Sequence, residues 1–247
     1  MRTILELEAI NLTKRFGDKV ALDGISFRFK GPGVIGYLGP NGAGKTTTLK
    51  IFSHLLRPTS GKALINGIDI QKDYVKALRS VAAVVETPEP FPDLGVRDFL
   101  TMVGGMRGLD GKEIERRISR LQKGLSLDDL DVRGKQLSKG NKQRAVLAAA
   151  LIADAEILLL DEPTSGLDPA ETRGLKDLIK KLKKTRLIFM SSHLLDEVIE
   201  LCDKAVFINN GKIVLIDSVS NVTKKFGRGR KGAAGLEDAY MRLIKGI

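Results

Sequence analysis

The sequence contains few of the residues on which cross-links and metal clusters depend. Of its 247 residues one is Cys and two are His, and Trp is absent. The single Cys202 excludes an intramolecular disulfide and a cysteine zinc cluster, and its apolar neighbour Leu201 favours a buried structural thiol. The longest apolar runs, such as residues 157–160, are far too short to span a bilayer. We therefore expect a globular protein, for which a hydrophobic content of 43% supplies an ample core.

The first residues lack the apolar core of a signal peptide. Met1, Arg2 and Thr3 lead directly into a short stretch that alternates apolar and polar side chains. A secretory leader needs a continuous run of about 7–15 apolar residues, so the sequence predicts a cytoplasmic protein.

The net charge of +11 is concentrated in two segments, residues 171–186 and 219–247, each with seven basic and two acidic side chains. In the first segment the apolar residues keep helical spacing, so its lysines are predicted to lie on a solvated face. The second mixes Lys and Arg with Gly over residues 224–231, which predicts a mobile linker ahead of a short terminal helix. Such a linker is able to contact anionic lipids or RNA. Solvated charge is the simpler interpretation, and no specific nucleic-acid partner is expected.

One stretch predicts a nucleotide site. Residues 39–46 fit the phosphate-binding loop, two glycines separated by four residues and followed by Lys and a hydroxyl residue. An apolar run precedes them and a helical apolar spacing follows, as far as Leu56. Glycine allows successive N–H groups to converge on a phosphate at the positive end of the helix. Lys45 would supply charge to the terminal phosphates and Thr46 a hydroxyl to Mg²⁺. By itself this loop leaves a kinase, a GTPase and an ATPase open.

Strands and helices alternate over most of the chain. The predicted apolar strands behind the loop cover residues 63–65, 81–85, 157–161, 187–190, 205–208 and 212–216. This alternation predicts an α/β fold, a mostly parallel sheet with helices on both faces. Two alternating runs ahead of the loop, residues 4–10 and 25–29, predict an N-terminal antiparallel β subdomain. Phe16 lies between them, before a Gly-Asp turn signal.

The composition becomes helical after a proline-rich stretch. Pro88, Pro90 and Pro92 exclude a helix or a central strand at that point, and three helices are predicted from residue 96 to residue 153. We therefore predict one domain over residues 1–217 and a basic tail over residues 218–247. Within the domain, residues 1–86 and 154–217 form the nucleotide-binding core, and residues 87–153 form an inserted helical subdomain.

Polar residues follow several predicted parallel strands. Glu86 follows the strand 81–85, Asp161 closes the next, and His193 comes just after residues 187–190. Active loops of such sheets gather at the carboxyl ends of the strands, so these residues and the phosphate loop are expected to share one edge. Phosphoryl transfer to water needs a metal, a phosphate cradle and a group that orients the water. Asp161 is suited to hold Mg²⁺ through its water shell, and Glu162 to act as general base.

A capped helix start completes the pattern. Ser138 is a good N-cap, and Gly140 in the first turn leaves room for an anion to approach the backbone. With these parts in this order, the chain from Ile4 to Asp217 resembles the nucleotide-binding subunits of ATP-binding cassette (ABC) transporters. The resemblance implies a P-loop NTPase core.

The resemblance implies a role for each matching position. An aromatic side chain that stacks on adenine and the phosphate loop would bind the nucleotide, through Phe16, Gly39, Pro40, Asn41, Gly42, Ala43, Gly44, Lys45, Thr46 and Thr47. The metal-binding residues would be Thr46, Asp161 and Glu86, and the catalytic residues Glu162 and His193. The family signature, which contacts ATP of a second chain, falls on Ser138, Lys139, Gly140 and Asn141. Asp168 falls in the D-loop, and His54 is expected to be a packing residue.

The implied function is a Mg²⁺-dependent ATPase. Two chains, expected to be identical, would bind two ATP molecules head to tail and drive export by a separate multi-span permease. The chain would then lie at the inner face of the cell membrane, with residues 86–100, including Phe91, as the docking surface. A non-transport ABC ATPase acting on ribosomes or nucleic acid is the alternative. It is disfavoured because the chain has one cassette and no coiled-coil arm between Lys45 and Ser138. A binding module without hydrolysis is disfavoured because Glu162 and His193 are present.

The sequence departs from the family pattern in two places. Glu86 stands where the family usually has Gln, and the signature has Lys139 for Gly and Asn141 for Gln. We expect metal coordination to persist and the coupling energetics to differ. An acidic residue at this loop, together with the ending over residues 236–240, resembles the drug- and bacteriocin-export branch.

Overall fold

The computed structural model describes residues 5–86, 88–127, 129–227, 229–230 and 232–245. Its strands are β1 (Glu6–Phe16), β2 (Lys19–Lys30), β3 (Gly33–Leu38), β4 (Ser60–Ile65), β5 (Ile68–Asp69), β6 (Val81–Val84), β7 (Ile157–Asp161), β8 (Leu187–Ser192), β9 (Lys204–Asn209) and β10 (Lys212–Ser218). Its α-helices are α1 (Lys45–Phe52), α2 (Tyr74–Leu78), α3 (Val96–Met106), α4 (Gly111–Leu125), α5 (Lys139–Ile152), α6 (Pro169–Leu182), α7 (Leu195–Leu201), α8 (Val219–Phe226) and α9 (Gly232–Tyr240). A 3₁₀ turn covers Gly134–Gln136 and a π-helical turn Met241–Lys245.

The strands form two sheets. One has four strands in the order β2-β1-β4-β5, and its three pairings are antiparallel. The other has six strands in the order β10-β9-β3-β8-β7-β6. In it β3 pairs in parallel with β8 and β9, and β7 pairs in parallel with β8, so these strands end at the same edge. Strand β10 runs antiparallel beside β9. The α/β fold with an antiparallel N-terminal sheet is confirmed.

An aromatic cluster forms the core behind the phosphate loop. The ring of Phe27 on β2 lies 5.7 Å from Phe52 on α1 and 5.5 Å from Phe189 on β8. Tyr37 on β3 lies 5.0 Å from Phe189, and its hydroxyl is 3.2 Å from the hydroxyl of Thr48 on α1. Complete burial raises the pKa of Tyr37. Because strand β3 and helix α1 flank the loop, this packing fixes both of its ends.

Contacts divide the chain into two compact units. The first comprises Met1–Val81, Glu156–Pro163 and Lys183–Ile247, and the second comprises Ala82–Ala155 and Thr164–Leu182. In the second unit α3, α4 and α5 pack on one another, and α6 packs on α4. The second unit thus includes α6, which the sequence-based helical subdomain leaves out. The predicted limits of the domain and of its subdomains stay a prediction.

Several elements differ in length from the sequence-based expectation. The first strand runs on to Phe16, so this residue ends β1 and does not lie in a loop; Ile4 is outside the described residues. Helix α1 ends at Phe52, because His54 takes a left-handed conformation with φ 59°. The prediction that the helical spacing includes Leu55 is therefore wrong, and Leu55 is 67% exposed. Elements β5 and α2 were not predicted, since two and five residues are too short to show a period.

The basic tail is more ordered in secondary structure than the sequence suggested. Helix α8 begins after Ser218, whose hydroxyl accepts the N–H of Asn221 at 3.1 Å, and includes Lys224 and Lys225. Lys225 also pairs with Asp217 at 2.8 Å. The predicted linker is therefore wrong up to residue 226, while Arg228 and Lys231 lie outside the described residues.

Cys202 and His54 belong to the two rare residue types of this sequence, and both were expected to be structural. Cys202 is buried, as predicted, and burial raises the pKa of its thiol. The ring of His54 stacks on Tyr74 at 4.5 Å, which agrees with a packing role. Across the described parts of the chain, no helix combines the length and the apolar character that a membrane crossing requires.

Candidate functional site

The phosphate loop connects β3 to α1 in the first unit. Lys45, the first residue of α1, is 6% exposed, and its Nζ donates to the carbonyl oxygens of Gly39 at 2.8 Å and Pro40 at 3.2 Å. Burial lowers the pKa of Lys45, while the charges of Glu162 and Asp161 oppose this shift. The ammonium group is thus held over its own loop, close to the carboxylates of β7's carboxyl end.

Two glycines of this loop are required by the surrounding backbone. A Cβ atom at Gly39 would collide with the carbonyl oxygen of Ile208 on β9. Gly44 has φ 111°, and a Cβ there would meet the carbonyl oxygen of Ala21. Only glycine satisfies both conditions, so the loop is able to turn tightly against the sheet.

Two acidic residues and a histidine meet at the carboxyl ends of β7 and β8. The Nδ1 atom of His193 lies 3.1 Å from Oε2 of Glu162. Asp161, the last residue of β7, accepts a hydrogen bond of 2.5 Å from the hydroxyl of Ser191 on β8. The predicted convergence is therefore observed for the phosphate loop, Asp161 and His193, which belong to the first unit together with Glu162. For Glu86, which belongs to the second unit, it stays a prediction.

A cleft of about 460 Å³ opens beside the loop. Its lining consists of Phe16, Lys19, Ala21, Asn41, Gly42, Gly44, Lys45, Thr46, Thr47 and Glu162. This volume is within the range of about 300–1,000 Å³ that small-molecule sites occupy. Phe16 is 49% exposed, and the Nζ of Lys14 lies 4.9 Å from the centre of its ring. A cationic loop and an exposed aromatic ring in the lining of one cleft fit a nucleoside triphosphate.

Sequence reasoning missed three residues around this cleft and one behind it. Lys19 and Ala21 line the cleft, Lys14 contacts the aromatic ring, and Ser191 bonds Asp161. Lys19 was predictable, because the turn signal after Phe16 indicates a hairpin, and in that hairpin Phe16 pairs with Lys19 across the β1–β2 turn. Ser191 carried no such signal, since it is far from Asp161 in the sequence.

The oxygen donors of the site fit magnesium better than a transition metal. Across the described segments, no cluster of three or more His, Cys, Asp or Glu side chains has the arrangement of a metal site. Magnesium is usually held by one or two carboxylates together with substrate phosphates. The hydroxyl of Thr46 and the carboxylate of Asp161 therefore suit a magnesium ion that arrives with a nucleotide.

The signature residues lie in the second unit, at the start of α5. The hydroxyl of Ser138 accepts the N–H of Asn141 at 3.2 Å, so the predicted N-cap is confirmed. A Cβ atom at Gly140 would collide with the carboxylate of Glu171, which occupies the space that sequence reasoning assigned to a ligand anion. Similarly, a Cβ atom at Gly166 would collide with the ammonium group of Lys139.

The remaining predicted residues also belong to the second unit. Asp168 and Glu171 cap the start of α6 reciprocally: Oδ1 of Asp168 accepts the N–H of Glu171 at 2.8 Å, and Oε2 of Glu171 accepts the N–H of Asp168 at 3.1 Å. Glu86 follows β6 in a left-handed conformation with φ 65°. The roles assigned to Glu86, Asp168 and the signature stay predictions.

The fold and the loop define a protein class: an α/β protein that binds a nucleoside triphosphate at the carboxyl edge of a parallel sheet. Comparison with known proteins narrows this class. Residues 22–165 match the family model described as "ABC transporter". The uncharacterized ABC transporter ATP-binding protein YhcH of Bacillus subtilis is 38% identical over 224 residues, which are 90% of this chain and 72% of that protein.

Two further comparisons agree. The bacitracin transport ATP-binding protein BcrA of Bacillus licheniformis is 36% identical over 216 residues, 87% of this chain and 69% of that protein. A solved ATP-binding subunit of an ABC transporter superposes with a TM-score of 0.87 at 28% identity, covering 96% of this chain and 98% of that one. The chain belongs to the ABC transporter family. It is an ATP-binding subunit of that family and an ATPase, as the sequence predicted; none of these comparisons supports the non-transport alternative.

Proposed function

We propose that this subunit hydrolyses Mg²⁺-ATP with Glu162 as general base and His193 as the residue that orients it. The observation that carries the proposal is the 3.1 Å contact between Oε2 of Glu162 and Nδ1 of His193, beside a cleft that Lys45 and Glu162 both line. A general base must lie within hydrogen-bond reach of the water whose proton it takes, and a neighbouring group must orient it. The contact with His193 supplies the orienting group for Glu162.

Residues in and beside the cleft have separate tasks in this mechanism. Phe16 stacks on the adenine, and Lys45 exchanges its bonds to the carbonyl oxygens of Gly39 and Pro40 for bonds to the terminal phosphates. Glu162 takes a proton from the attacking water, and His193 holds the Glu162 carboxylate in place. Magnesium, when bound, would be held by Thr46 and Asp161 and would neutralise charge on the phosphates.

A second copy of this chain completes the site in our proposal. The residues of the cleft lie in the first unit, and the signature Ser138–Lys139–Gly140–Asn141, with Asp168, lies in the second. As the family resemblance implies, ATP would be held between Lys45 of one chain and Ser138 of an identical chain. Closing and opening of this dimer would transmit the free energy of hydrolysis.

The partner we propose is a separate multi-span permease that exports its substrate. Support comes from BcrA, whose name assigns it to bacitracin transport. Residues 86–100 offer a docking surface in which Phe91 is 52% exposed and packs at its edge on Phe99, 6.1 Å away. The subunit would then work at the inner face of the cell membrane.

The variant Glu162→Gln tests the catalytic proposal. We expect ATP hydrolysis to fall about 100-fold or more, because a lost general base typically costs 10²–10⁴-fold. ATP binding by calorimetry should persist, and ATP should increase the apparent mass to that of a dimer. Glu237→Gln, which removes the same charge from an exposed position on α9, is the control and should behave as wild type. Full hydrolysis by Glu162→Gln would refute its role as base.

The membrane partner is tested by purification from native membranes under mild detergent. We expect a multi-span protein to accompany the subunit, and Phe91→Ser to reduce its recovery while ATP binding is retained. Consistent absence of such a protein would contradict the transport proposal and leave the ATPase assignment unaffected.

A further inference from the structure

Ser191 lies in the last part of β8, with a relative exposure of 0%, and contacts both acidic residues of the site. Its hydroxyl donates to Oδ1 of Asp161 at 2.5 Å and accepts the backbone N–H of Glu162 at 3.0 Å. Its carbonyl oxygen accepts the same N–H at 3.2 Å. One buried residue thus holds the side chain of Asp161 and the backbone of Glu162.

The bond to Asp161 restricts the carboxylate. A hydroxyl-to-carboxylate distance of 2.5 Å is at the short end of charge-assisted hydrogen bonds, which are the stronger kind. Because Oδ1 is directed to Ser191, the carboxylate plane is fixed and Oδ2 is the oxygen left for a metal ion or its water shell. Partners of metal-binding carboxylates set their orientation in this way.

The bond to Glu162 stabilises an unusual backbone. Glu162 has φ 46°, a left-handed conformation that is uncommon outside glycine and that persists only where the surroundings impose it. Two acceptors on Ser191 share its N–H, and His193, two residues further along the chain, contacts its carboxylate at 3.1 Å. The end of β8 therefore sets the direction in which the Glu162 side chain leaves the strand.

The neighbouring serine has different partners. The hydroxyl of Ser192 accepts the N–H of Leu194 at 3.0 Å and lies 2.9 Å from Oε2 of the buried Glu197 on α7. Ser192 thus serves the start of α7, whereas Ser191 serves the acidic pair. Two adjacent buried hydroxyls with separate partners form a matched pair for experiment.

We propose that Ser191 is a positioning residue for ATP hydrolysis, which aligns Asp161 toward the metal and Glu162 toward the attacking water. This inference rests on the proposed roles of Asp161 and Glu162. Loss of the hydroxyl leaves Lys45 and the phosphate loop intact, so it should affect the chemical step and the use of Mg²⁺ more than the binding of ATP itself.

The test compares Ser191→Ala, Ser191→Thr and Ser192→Ala in the full chain. For Ser191→Ala we expect kcat to fall about 10- to 100-fold, the size typical of lost partners of metal ligands, with little change in KM. Calorimetry should show wild-type ATP affinity in EDTA but a smaller gain in affinity on adding Mg²⁺. Ser191→Thr, which keeps a hydroxyl, should restore most of the wild-type kcat and most of the gain in ATP affinity on adding Mg²⁺. Ser192→Ala should lower the melting temperature without changing the Mg²⁺ gain.

Three outcomes would overturn the inference: wild-type kcat and Mg²⁺ gain in Ser191→Ala, equal defects in Ser191→Ala and Ser192→Ala, or no recovery by a folded Ser191→Thr. The Glu162→Gln background separates this inference from the proposed function. If Glu162→Gln hydrolyses ATP normally, the base role fails whatever Ser191 does. If Glu162→Gln is inactive while Ser191→Ala is normal, only the role of Ser191 fails. In the double variant the smaller gain in ATP affinity on adding Mg²⁺ should persist, because it depends on the bond to Asp161 and not on the Glu162 carboxylate.

Discussion

The starts of helices α1 and α5 solve the same electrostatic problem in different ways. Both present unpaired backbone N–H groups and the positive end of a helix. At α1 the N-cap is Gly44, without a side-chain hydrogen bond and without an acidic residue in the first turn. At α5 the N-cap Ser138 accepts a backbone N–H, and the carboxylate of Glu171 lies over Gly140.

The difference shows which helix start is prepared for an external anion. At α1 the charge of Lys45 adds to the helix, and its partners are carbonyl oxygens of the loop, which phosphate oxygens can replace. At α5 the anion is supplied by the chain itself, and the guanidinium of Arg144 lies 3.5 Å from the Glu171 carboxylate and balances it. A phosphate from a second chain would therefore have to displace Glu171, whereas the phosphate loop needs no such rearrangement.

The largest expected effect comes from removing the charge at α1. Lys45→Ala should weaken ATP binding by about 2–5 kcal/mol, the cost of truncating one partner of a buried charge pair. Calorimetry with ATP in EDTA measures this loss directly. Lys62→Ala removes an exposed lysine from β4 in the same unit and should bind as wild type. Equal ATP affinity of the two variants would refute the role of Lys45 in binding the phosphates and the contrast between α1 and α5.

A smaller effect is expected on stability when a glycine near the start of each helix is replaced, Gly39 before α1 and Gly140 in α5. Gly39→Ala forces a Cβ onto the carbonyl oxygen of Ile208, a backbone atom, and should destabilise the chain by about 1–3 kcal/mol. The atoms nearest to a Cβ at Gly140 belong to the side chain of Glu171, which is able to move at the cost of its bond to the N–H of Asp168. Because alanine also favours the helix, we expect a loss of stability of no more than about 1 kcal/mol.

Melting temperatures by circular dichroism measure both variants, since the chain has no Trp for fluorescence. At this chain length about 1 kcal/mol corresponds to a shift of roughly 2–4 °C. A larger shift for Gly140→Ala than for Gly39→Ala would show that the start of α5 is the more rigid of the two helix starts and would contradict the contrast between them.

Elements with a clear period were predictable, and short or irregular ones were not. Strands β3, β7 and β9 and helices α3, α4 and α6 follow from apolar runs and helical spacing in the sequence, and the start of α5 follows from its Ser138 cap. The end of α1 was misjudged because the apolar pattern continues to Leu56, while the left-handed turn at His54 stops the helix. Helix α8 was missed because its lysines and the following glycines resemble a linker in composition, and composition does not register the Ser218 cap.

The sequence by itself determined the nucleotide loop, the order of the motifs and the family. These depend on local chemistry: glycine where a turn against the sheet requires it, a lysine beside it, and acids at the ends of apolar strands. Only the tertiary structure decided that Ser191 holds Asp161 and Glu162, and that the carboxylate of Glu171 lies against Gly140. Each of these contacts joins residues about 30 positions apart, and folding brings them together through strand pairing and helix packing, which no local pattern encodes.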